Sequence, residues 1–537
     1  MLRFDSLYQP YTSSRLPVIA NKGMVATSQP LAAQAGLDML KKGGNAIDAA
    51  IATAACLTVV EPTSNGIGGD AFALVWAEGK LHGLNGSGPA PASLSIEELK
   101  KRGLDHIPKY GLTPVTVPGA PGAWAALSKR FGKLPFKELF EPAISYAKEG
   151  YPISATLGRL WDQAYKTMKE HCTDEVYESW FETFCPDGRA PAIGETWKSQ
   201  GHASTLSDIA KTKAESFYRG ELADQIDAFS IQNGGFLRKE DMEAFYPEWV
   251  EPISANYRGF DVWEIPPNGQ GLVALMALNI LKGYTFTDRD TVDTLHKQIE
   301  AMKLASTDGQ TYITDRNEMR RSVEGLLSEA YTTFRRDLIG KEARLPEPGE
   351  PQRGGTVYLA TADEDGNMVS FIQSNYIGFG SGIVVPDTGI ALQSRGLNFS
   401  MDPFHDNALK PGKRPYHTII PGFLTRGEKA IGPFGVMGAF MQPQGHVQVI
   451  MNAIDFHLNP QAALDAPRWQ WKHNLSVDVE QTMPPHLAAA LARKGHDVRV
   501  ERDSSTFGRG QIIWRDEASG TYTGGTESRT DGTIASW

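Results

Sequence analysis

The most constraining feature of this chain is an abrupt change of character at residue 356. Residues 336–355, with the sequence RDLIGKEARLPEPGEPQRGG, are rich in proline and charge, so we expect an exposed loop there. An alternating, strand-like pattern begins at Thr356 and continues to 363. The triplet Asp-Gly-Asn at 365–367 predicts a hairpin turn, with a return strand over 368–373. A hairpin is therefore expected directly behind an accessible loop.

The predicted secondary structure differs on the two sides of this loop. Residues 30–59 predict two alanine-rich helices, which Gly43-Gly44 separates, and Asn45 is a suitable N-cap for the second. Residues 115–340 have a mainly helical pattern. Beyond the hairpin, strands are predicted at 383–392, 418–425 and 430–437, and helices at 444–457 and 485–494. Strands and helices mix without a regular βαβ repeat, which favours an α+β fold with layered antiparallel sheets.

The composition excludes several classes of protein. A chain of 537 residues with 41% hydrophobic and 22% charged residues can bury a large core. The formal net charge of −10, without a dense basic stripe, argues against a nucleic-acid partner. The longest apolar stretch, 49–60, is too short to span a bilayer, and the first residues lack a signal-like apolar region, so no membrane partner is expected. Three cysteines without paired spacing fit a reducing compartment, and we expect a soluble cytoplasmic protein.

Familiar cofactor and metal motifs are missing from the sequence. The chain has no G-x-x-x-x-G-K-[ST] phosphate loop, no H-E-x-x-H pair and no G-x-S-x-G elbow. Its 12 histidines show no metal-ligand spacing. No strand leads directly into the glycine-rich run 66–70, so we interpret it as a tight turn that shapes a pocket wall. Neither a cofactor nor a metal is expected.

Thr356 has two interpretations. A threonine hydroxyl is a poor nucleophile until a base removes its proton, and an N-terminal threonine can use its own α-amino group as that base. An internal threonine reaches this state if the peptide bond before it is cut, which needs an accessible loop, a permissive residue such as Gly355 and a rigid strand. The alternative is a strand that simply begins with a β-branched residue. The tripeptide Gly-Gly-Thr does not decide, because it recurs at 524–526 before a predicted turn.

The surroundings of Thr356 favour the first interpretation. The run 356–400, TVYLATADEDGNMVSFIQSNYIGFGSGIVVPDTGIALQSRGLNFS, resembles the start of the small subunit in the γ-glutamyltranspeptidase family of N-terminal nucleophile hydrolases. GMVATSQPLAAQAGLDMLKKGGNAIDAAIA, EPTSNGIGGDAF, VPGAPGAWAAL, ALDAPRW and GHDVRV also match that family, in the correct order along the chain. The resemblance implies a four-layer αββα sandwich and a precursor that cuts itself between Gly355 and Thr356. The large subunit 1–355 and the small subunit 356–537 would stay associated as a heterodimer, and a further dimer of these is left open.

The resemblance also implies catalytic roles. The acyl group of a small-molecule amide would be transferred to the Thr356 hydroxyl and then to water or an amine. Ser374 falls where the family has a hydroxyl residue that supports the nucleophile; the alternative is an ordinary polar strand residue. The family's oxyanion hole uses consecutive backbone N–H groups, which in the segment GAFMQPQGH would be those of Met441 and Gln442.

Departures from the family pattern concern the substrate. The positions that hold the charged ends of a glutamyl group carry uncharged residues here, and the Ser-Ser pair over the pocket is replaced; these positions are Leu94, Tyr376, Asn398, His417 and Thr418. Loss of those contacts is expected to weaken the binding of γ-glutamyl compounds. We hypothesise that Arg395, with His417 nearby, binds a carboxylate on an acyl group that has no α-amino function, as in the acylase and oxamate amidohydrolase branch. The alternatives are a structural salt bridge for Arg395, a true γ-glutamyl hydrolase or transpeptidase, or an inactive scaffold protein.

Overall fold

The computed structural model describes residues 14–346 and 355–537. Residues 347–354 of the predicted loop therefore lie outside the described residues. The described part after Arg336, 337–346, contains neither helix nor strand, and Leu345 within it is exposed. None of the helices in the described ranges is long and apolar enough to cross a membrane.

The strands confirm the predicted hairpin and most of the strands predicted after it. The predicted strand at 383–392 is two short strands, and the one at 418–425 begins later, at Gly422. The strands are β1 Val18–Ala20, β2 Gly23–Thr27, β3 Asp70–Ala77, β4 Lys80–Gly86, β5 Tyr151–Pro152, β6 Thr196–Trp197, β7 Glu248–Val250, β8 Ile253–Tyr257, β9 Phe260–Glu264, β10 Gly355–Asp363, β11 Met368–Tyr376, β12 Val384–Val385, β13 Ile390–Ala391, β14 Gly422–Arg426, β15 Lys429–Met437, β16 Trp469–His473, β17 Ser476–Glu480, β18 Asp497–Glu501, β19 Arg509–Arg515, β20 Tyr522–Thr526 and β21 Thr533–Ser536.

The helices confirm the two alanine-rich helices and the two predicted near the C-terminus. Asn45 caps the second alanine-rich helix as predicted, since its side chain accepts hydrogen bonds from the N–H groups of Ile47 and Asp48. The helices are α1 Pro30–Lys41, α2 Ala46–Val60, α3 Ile96–Lys101, α4 Ala120–Phe131, α5 Glu141–Glu149, α6 Ala155–His171, α7 Glu178–Phe184, α8 Gln200–Thr212, α9 Glu215–Arg219, α10 Glu221–Gln232, α11 Lys239–Glu243, α12 Gly271–Leu281, α13 Val292–Tyr312, α14 Val323–Leu326, α15 Glu329–Arg336, α16 Gln442–Ile454, α17 Pro460–Asp465 and α18 Pro485–Arg493.

Two antiparallel sheets form the centre of the described structure. Sheet 1 has the strand order β21-β2-β10-β11-β3-β4-β7, and sheet 2 has the order β1-β20-β19-β15-β14-β9-β8. A cluster of apolar side chains from both sheets lies between them. The outer face of sheet 1 packs against a group of helices that includes α2 and α4, and the outer face of sheet 2 against a group that includes α12, α13 and α16. This arrangement is a four-layer αββα sandwich, which confirms the α+β fold.

Strand β10 is central to sheet 1, with β2 on one side and β11 on the other. Its side chains alternate as the pleat requires. Val357 and Leu359 face the helices, whereas Tyr358 and Ala360 face sheet 2, and all four are buried. By the same alternation the side chain of Thr356 lies on the face that looks into the space between the sheets, where it is buried.

Candidate active site

Thr356 lies at an irregularity in the pairing of β10 with β11. Gly355 pairs with Tyr376 and Val357 pairs with Gln373, so two residues of β11, Ser374 and Asn375, stand opposite Thr356. This arrangement is a β-bulge, a feature that re-aims side chains and is frequent beside active sites. The bulge turns Ser374 towards the threonine, and the Thr356 hydroxyl donates a hydrogen bond of 3.0 Å to Ser374 Oγ.

The backbone after the bulge is held in an unusual conformation. Tyr376 has a φ of 77°, a left-handed value that an aromatic residue rarely adopts. Its N–H donates to Ser374 Oγ at 2.8 Å, which fixes the serine from the side opposite Thr356. Such a conformation costs on the order of 1–3 kcal/mol and is typically found where a functional site requires it. The serine oxygen is therefore positioned by the backbone rather than by side-chain packing alone.

The role of Ser374 can be tested against a serine of the same strand. We expect Ser374→Ala to slow amide hydrolysis by about 100-fold, since loss of the positioning hydrogen bond lets the nucleophile move. Ser370 is the matched control, because it is also buried on β11 and shares a 2.7 Å hydrogen bond with a β10 side chain, Tyr358. Ser370→Ala should leave kcat almost unchanged. Equal losses in both variants would show that the effect is structural.

A turn from sheet 2 approaches the same end of β10. A Cβ on Gly432 would lie 3.2 Å from Met368 Sδ, and one on Gly435 would lie 2.4 Å from the ring of Tyr358. Met368 pairs with Ala362, at the far end of β10 from Thr356. Moving along β15 from 432 to 435 therefore moves towards the Thr356 end of β10, and the turn that begins at Gly438 follows in that direction.

The hydrogen bonds of this turn bear on the predicted oxyanion donors. Ala439–Met441 is a short 3-10 helix that leads into α16. The N–H of Met441 donates to the carbonyl of Gly438 at 2.9 Å, and the N–H of Gln442 donates to the carbonyl of Ala439. Both predicted donors are thus used inside the turn. In the described ranges, the N–H groups of Gly438 and Ala439 donate to no acceptor, as is usual at the start of a helix.

Arg395 is completely buried close to Tyr376. Its guanidinium lies 4.5 Å from the centre of the Tyr376 ring, and Nη1 donates to Thr418 Oγ1 at 2.6 Å. Burial lowers the pKa of Arg395 to about 10, and the charge of Asp70 opposes that shift, so the guanidinium stays protonated at neutral pH. No carboxylate in the described part of the chain lies within 4.0 Å of it. A direct structural salt bridge therefore does not explain this arginine.

Several buried donors around Arg395 have no acceptor among the described residues. They are Nε and Nη2 of Arg395, the hydroxyl of Tyr376 and Nε2 of Gln442. The other end of the Gln442 amide is fixed, because its Oε1 accepts from the N–H of Ile420 at 3.0 Å. Leaving buried donors unpaired is costly, so a group with acceptor atoms is expected to bind them. Each of these four groups can donate a hydrogen bond and one belongs to a cation, which favours an anionic ligand.

His417 does not take the predicted role of a second substrate-binding group. Its Nε2 lies 3.0 Å from Asp70 Oδ2, and its Nδ1 accepts from the N–H of Ile419 at 3.3 Å. Nδ1 is therefore unprotonated and Nε2 carries the proton that is donated to Asp70. Burial holds the pKa of His417 well below its ordinary value, and the Arg395 charge adds to the effect. The ring is neutral and both of its nitrogens are engaged.

Asp70 is the residue that the sequence analysis missed. It is fully buried at the start of β3 and pairs directly with Ser374, which places both side chains on the same face of sheet 1. Burial raises the pKa of Asp70 to about 7, against the opposite effect of the Arg395 charge. The only sequence signal was its position at the end of the glycine-rich run 66–70, in which Gly69 N–H donates to the Gly66 carbonyl at 3.1 Å to form the predicted turn.

Leu94 and Asn398 lie where the resemblance places charged groups of a γ-glutamyl site. Leu94 is fully buried in an apolar cluster with Phe399. Asn398 is half-buried and donates from Nδ2 to the carbonyl of Tyr416 at 2.9 Å. Neither side chain offers a charge to an α-amino or α-carboxylate group.

One buried group of side chains elsewhere has the composition of a metal site. His296, Glu300 and His496 bring their ligand atoms within 4.8 Å of one another, although the sequence showed no metal-ligand spacing. Lys303 already supplies a cation there, since its Nζ donates to Glu300 Oε1 at 2.7 Å. The two histidines share a hydrogen bond of 2.9 Å, and His296 Nε2 donates to the carbonyl of Gly340 at 3.1 Å. These partners satisfy the cluster without a metal.

Comparison with known proteins identifies relatives over almost the whole chain. The family model described as Gamma-glutamyltranspeptidase matches residues 32–537. The chain is 37% identical to the Glutathione hydrolase-like YwrD proenzyme of Bacillus subtilis, over 96% of this chain and 98% of the relative. It is 33% identical to the Oxamate amidohydrolase proenzyme of Klebsiella pneumoniae, over 97% and 99%. A crystal structure of cephalosporin acylase from Bacillus halodurans matches with 66% identity and a TM-score of 0.98, over 100% of this chain and 99% of that one.

Proposed function

This chain belongs to the γ-glutamyltranspeptidase family and is an amide hydrolase, and we propose that it is a self-processing one whose nucleophile is Thr356. The proposal rests on the position of Thr356: a buried hydroxyl at the start of a central strand, hydrogen-bonded to Ser374 and preceded by a glycine. The related proteins named above as proenzymes support a cut in the chain.

Processing would begin with attack of Thr356 Oγ on the carbonyl carbon of Gly355. The C–N bond of that peptide breaks as the C–O bond forms. The proton that the hydroxyl loses is transferred to the threonine nitrogen, which becomes an amine. Water then hydrolyses the ester, which leaves a carboxylate on Gly355 and an amine on Thr356. The products are the subunits 1–355 and 356–537, which share the pairings of β10 with β2 and of β11 with β3 and so remain a heterodimer.

The new amine supplies the base for amide hydrolysis. It accepts the proton of the Thr356 hydroxyl as Oγ attacks the substrate carbonyl, and it returns that proton to the departing nitrogen. Water then hydrolyses the acyl ester. In this proposal the oxyanion is stabilised by the backbone N–H groups of Gly438 and Ala439, which replace Met441 and Gln442. Such donors lower the barrier by about 3–4 kcal/mol.

We assign the substrate class to amides whose acyl group carries a carboxylate and lacks an α-amino group. The observation that supports this class is the set of unpaired buried donors on Arg395, Tyr376 and Gln442. A guanidinium in a buried site binds a carboxylate by two parallel hydrogen bonds, and Nε and Nη2 form one edge of that fork. Oxamate, which the name of the Klebsiella pneumoniae relative gives as its substrate, is an amide of this class.

A panel of anilides tests the proposed specificity. We expect the processed enzyme to hydrolyse glutaryl-p-nitroanilide at least 10-fold more efficiently, in kcat/KM, than butyryl-p-nitroanilide or γ-glutamyl-p-nitroanilide. Butyryl lacks the carboxylate that Arg395 would bind, and the γ-glutamyl group adds an ammonium that would lie beside Asn398 without a counter-charge. A preference for the γ-glutamyl anilide would contradict the assignment and favour a glutathione hydrolase.

A further inference from the structure

The charges around the proposed acyl pocket balance before any substrate binds. Arg395 is a buried cation and Asp70 a buried anion, and both have no exposed surface. His417, which stands between the 395–398 turn and Asp70, is neutral because Ile419 N–H donates to its Nδ1. An acyl carboxylate that binds Arg395 would add a second negative charge to this dry region. Burying an uncompensated charge is far more costly than neutralising it by protonation.

We propose that Asp70 is a specificity-determining residue that takes up one proton from the solvent when an acyl carboxylate binds Arg395. The inference rests on the proposed function, because it requires a carboxylate at that position. Proton uptake restores the balance of one cation and one anion, with the substrate carboxylate in the place of the aspartate. Asp70 would thereby couple the affinity for anionic acyl groups to pH while touching no reacting atom.

The hydrogen bonds indicate which atom receives the proton. Asp70 Oδ2 accepts from His417 Nε2 at 3.0 Å, whereas Oδ1 accepts a longer bond of 3.3 Å from the N–H of Gly119, and the N–H of Gly88 also donates to the carboxylate. Protonation of His417 Nδ1 would set it against the N–H of Ile419, with two donors facing each other. Asp70 Oδ1 is therefore the position at which an added proton leaves the bond between His417 and Asp70 undisturbed. The His417 bond to Oδ2 survives, so the dyad keeps its geometry.

Of the other charged or titratable groups around Asp70, Arg414 and Tyr218 already have partners and Tyr376 stays neutral. Arg414 acts on Asp70 from a distance and forms an ion pair of 3.0 Å with Glu248. Tyr218, on α9, donates to the carbonyl of Pro118 and accepts from the N–H of Gly122. Burial raises the pKa of Tyr376, which faces Arg395, and keeps its hydroxyl neutral. Asp70 is left as the group that can respond to a new anion.

The direction of the pH effect follows from these charges. Burial raises the pKa of Asp70 to about 7 in the unliganded protein, and a bound carboxylate would raise it further. Above pH 7 the enzyme must therefore gain a proton to bind the anion, and its affinity for that anion falls as pH rises. A neutral acyl group adds no charge, so its binding should not show this dependence.

Calorimetry on the processed wild-type enzyme tests the proton uptake directly. Glutarate is titrated at pH 8 in phosphate and in Tris, two buffers with different ionisation enthalpies. We expect the difference between the two binding enthalpies to correspond to about one proton taken up per glutarate. Binding without proton uptake would overturn this inference and leave the proposed function standing. Absence of glutarate binding would overturn both.

A variant gives a second, independent measurement. In the wild type, the ratio of kcat/KM for glutaryl-p-nitroanilide to that for butyryl-p-nitroanilide should fall above pH 7, towards tenfold per pH unit. The ratio cancels the titration of the Thr356 amine, which both substrates need. Asp70→Asn carries a permanently neutral side chain, so its ratio should stay constant between pH 6.5 and pH 9. The same slope in both proteins would overturn the inference, and if the variant fails to fold the calorimetry on the wild type decides.

Discussion

Replacing Thr356 by alanine is expected to leave the chain as a single band near 58.7 kDa and to abolish amide hydrolysis. The wild type should instead give two bands of about 39 and about 20 kDa, in proportion to the lengths of 1–355 and 356–537 (at about 110 Da per residue). Loss of an attacking hydroxyl typically costs about 10⁶-fold in kcat. Here the same change also prevents formation of the α-amino base, so both processing and turnover should be lost. Electrophoresis and an anilide assay measure the two effects.

Two further variants make this experiment specific to Thr356. Thr526 follows the other Gly-Gly pair and is also buried, at the end of β20, so Thr526→Ala is the matched control and should be processed normally. Thr356→Ser keeps a hydroxyl and should retain cleavage and measurable hydrolysis. A wild-type chain that stays in one band would contradict self-processing and support the alternative of an inactive scaffold protein. Cleavage of Thr356→Ala would mean that another residue, or another protein, makes the cut.

The local pattern of the sequence was sufficient to predict the elements around the nucleophile. Alternation of side chains predicted β10, the Asp-Gly-Asn turn predicted the hairpin, and Asn45 predicted a helix start. These features depend on interactions between residues close in the chain, for which sequence periodicity is a direct signal. The four-layer arrangement itself came from the family resemblance, since periodicity does not specify which faces of two sheets meet.

The composition of the candidate acyl pocket could not be predicted in the same way. Asp70 lies 347 residues before His417 in the chain and meets His417 and Arg395 only because β3 pairs with β11 and Arg395 is hydrogen-bonded to Thr418. Sequence reasoning selected Arg395 for its charge and assigned His417 to the substrate. The sequence alone does not reveal that His417 is hydrogen-bonded to the buried Asp70. The proposed change of oxyanion donors, from Met441 and Gln442 to Gly438 and Ala439, has a related reason, as an alignment gives no information on which N–H groups a turn uses internally.

Replacing Arg395 by glutamine is expected to remove the preference for anionic acyl groups and to leave self-processing intact. Truncating one partner of a buried charge pair costs about 2–5 kcal/mol, so kcat/KM for glutaryl-p-nitroanilide should fall by between about 30-fold and a few thousand-fold. Most of the change should appear in KM, because the guanidinium would bind the carboxylate equally in the ground state and in the transition state. Steady-state kinetics on the processed variant measure both constants.

Comparison of substrates and of a second variant separates binding from folding in this experiment. Butyryl-p-nitroanilide has no carboxylate, so its kcat/KM should change by less than 3-fold in Arg395→Gln. Arg395→Lys keeps the charge but loses the planar fork, and it should restore only part of the affinity for the glutaryl anilide. Processing should be unaffected in both, since Gly355 and Thr356 need no anion.

An unchanged KM for the glutaryl anilide would assign Arg395 to the fold, where its bond to Thr418 would tie the 395–398 turn to the segment that leads into β14. An equal loss with both anilides would mean that the arginine acts on the reacting groups, through its contact with the Tyr376 ring and the bulge that positions Ser374.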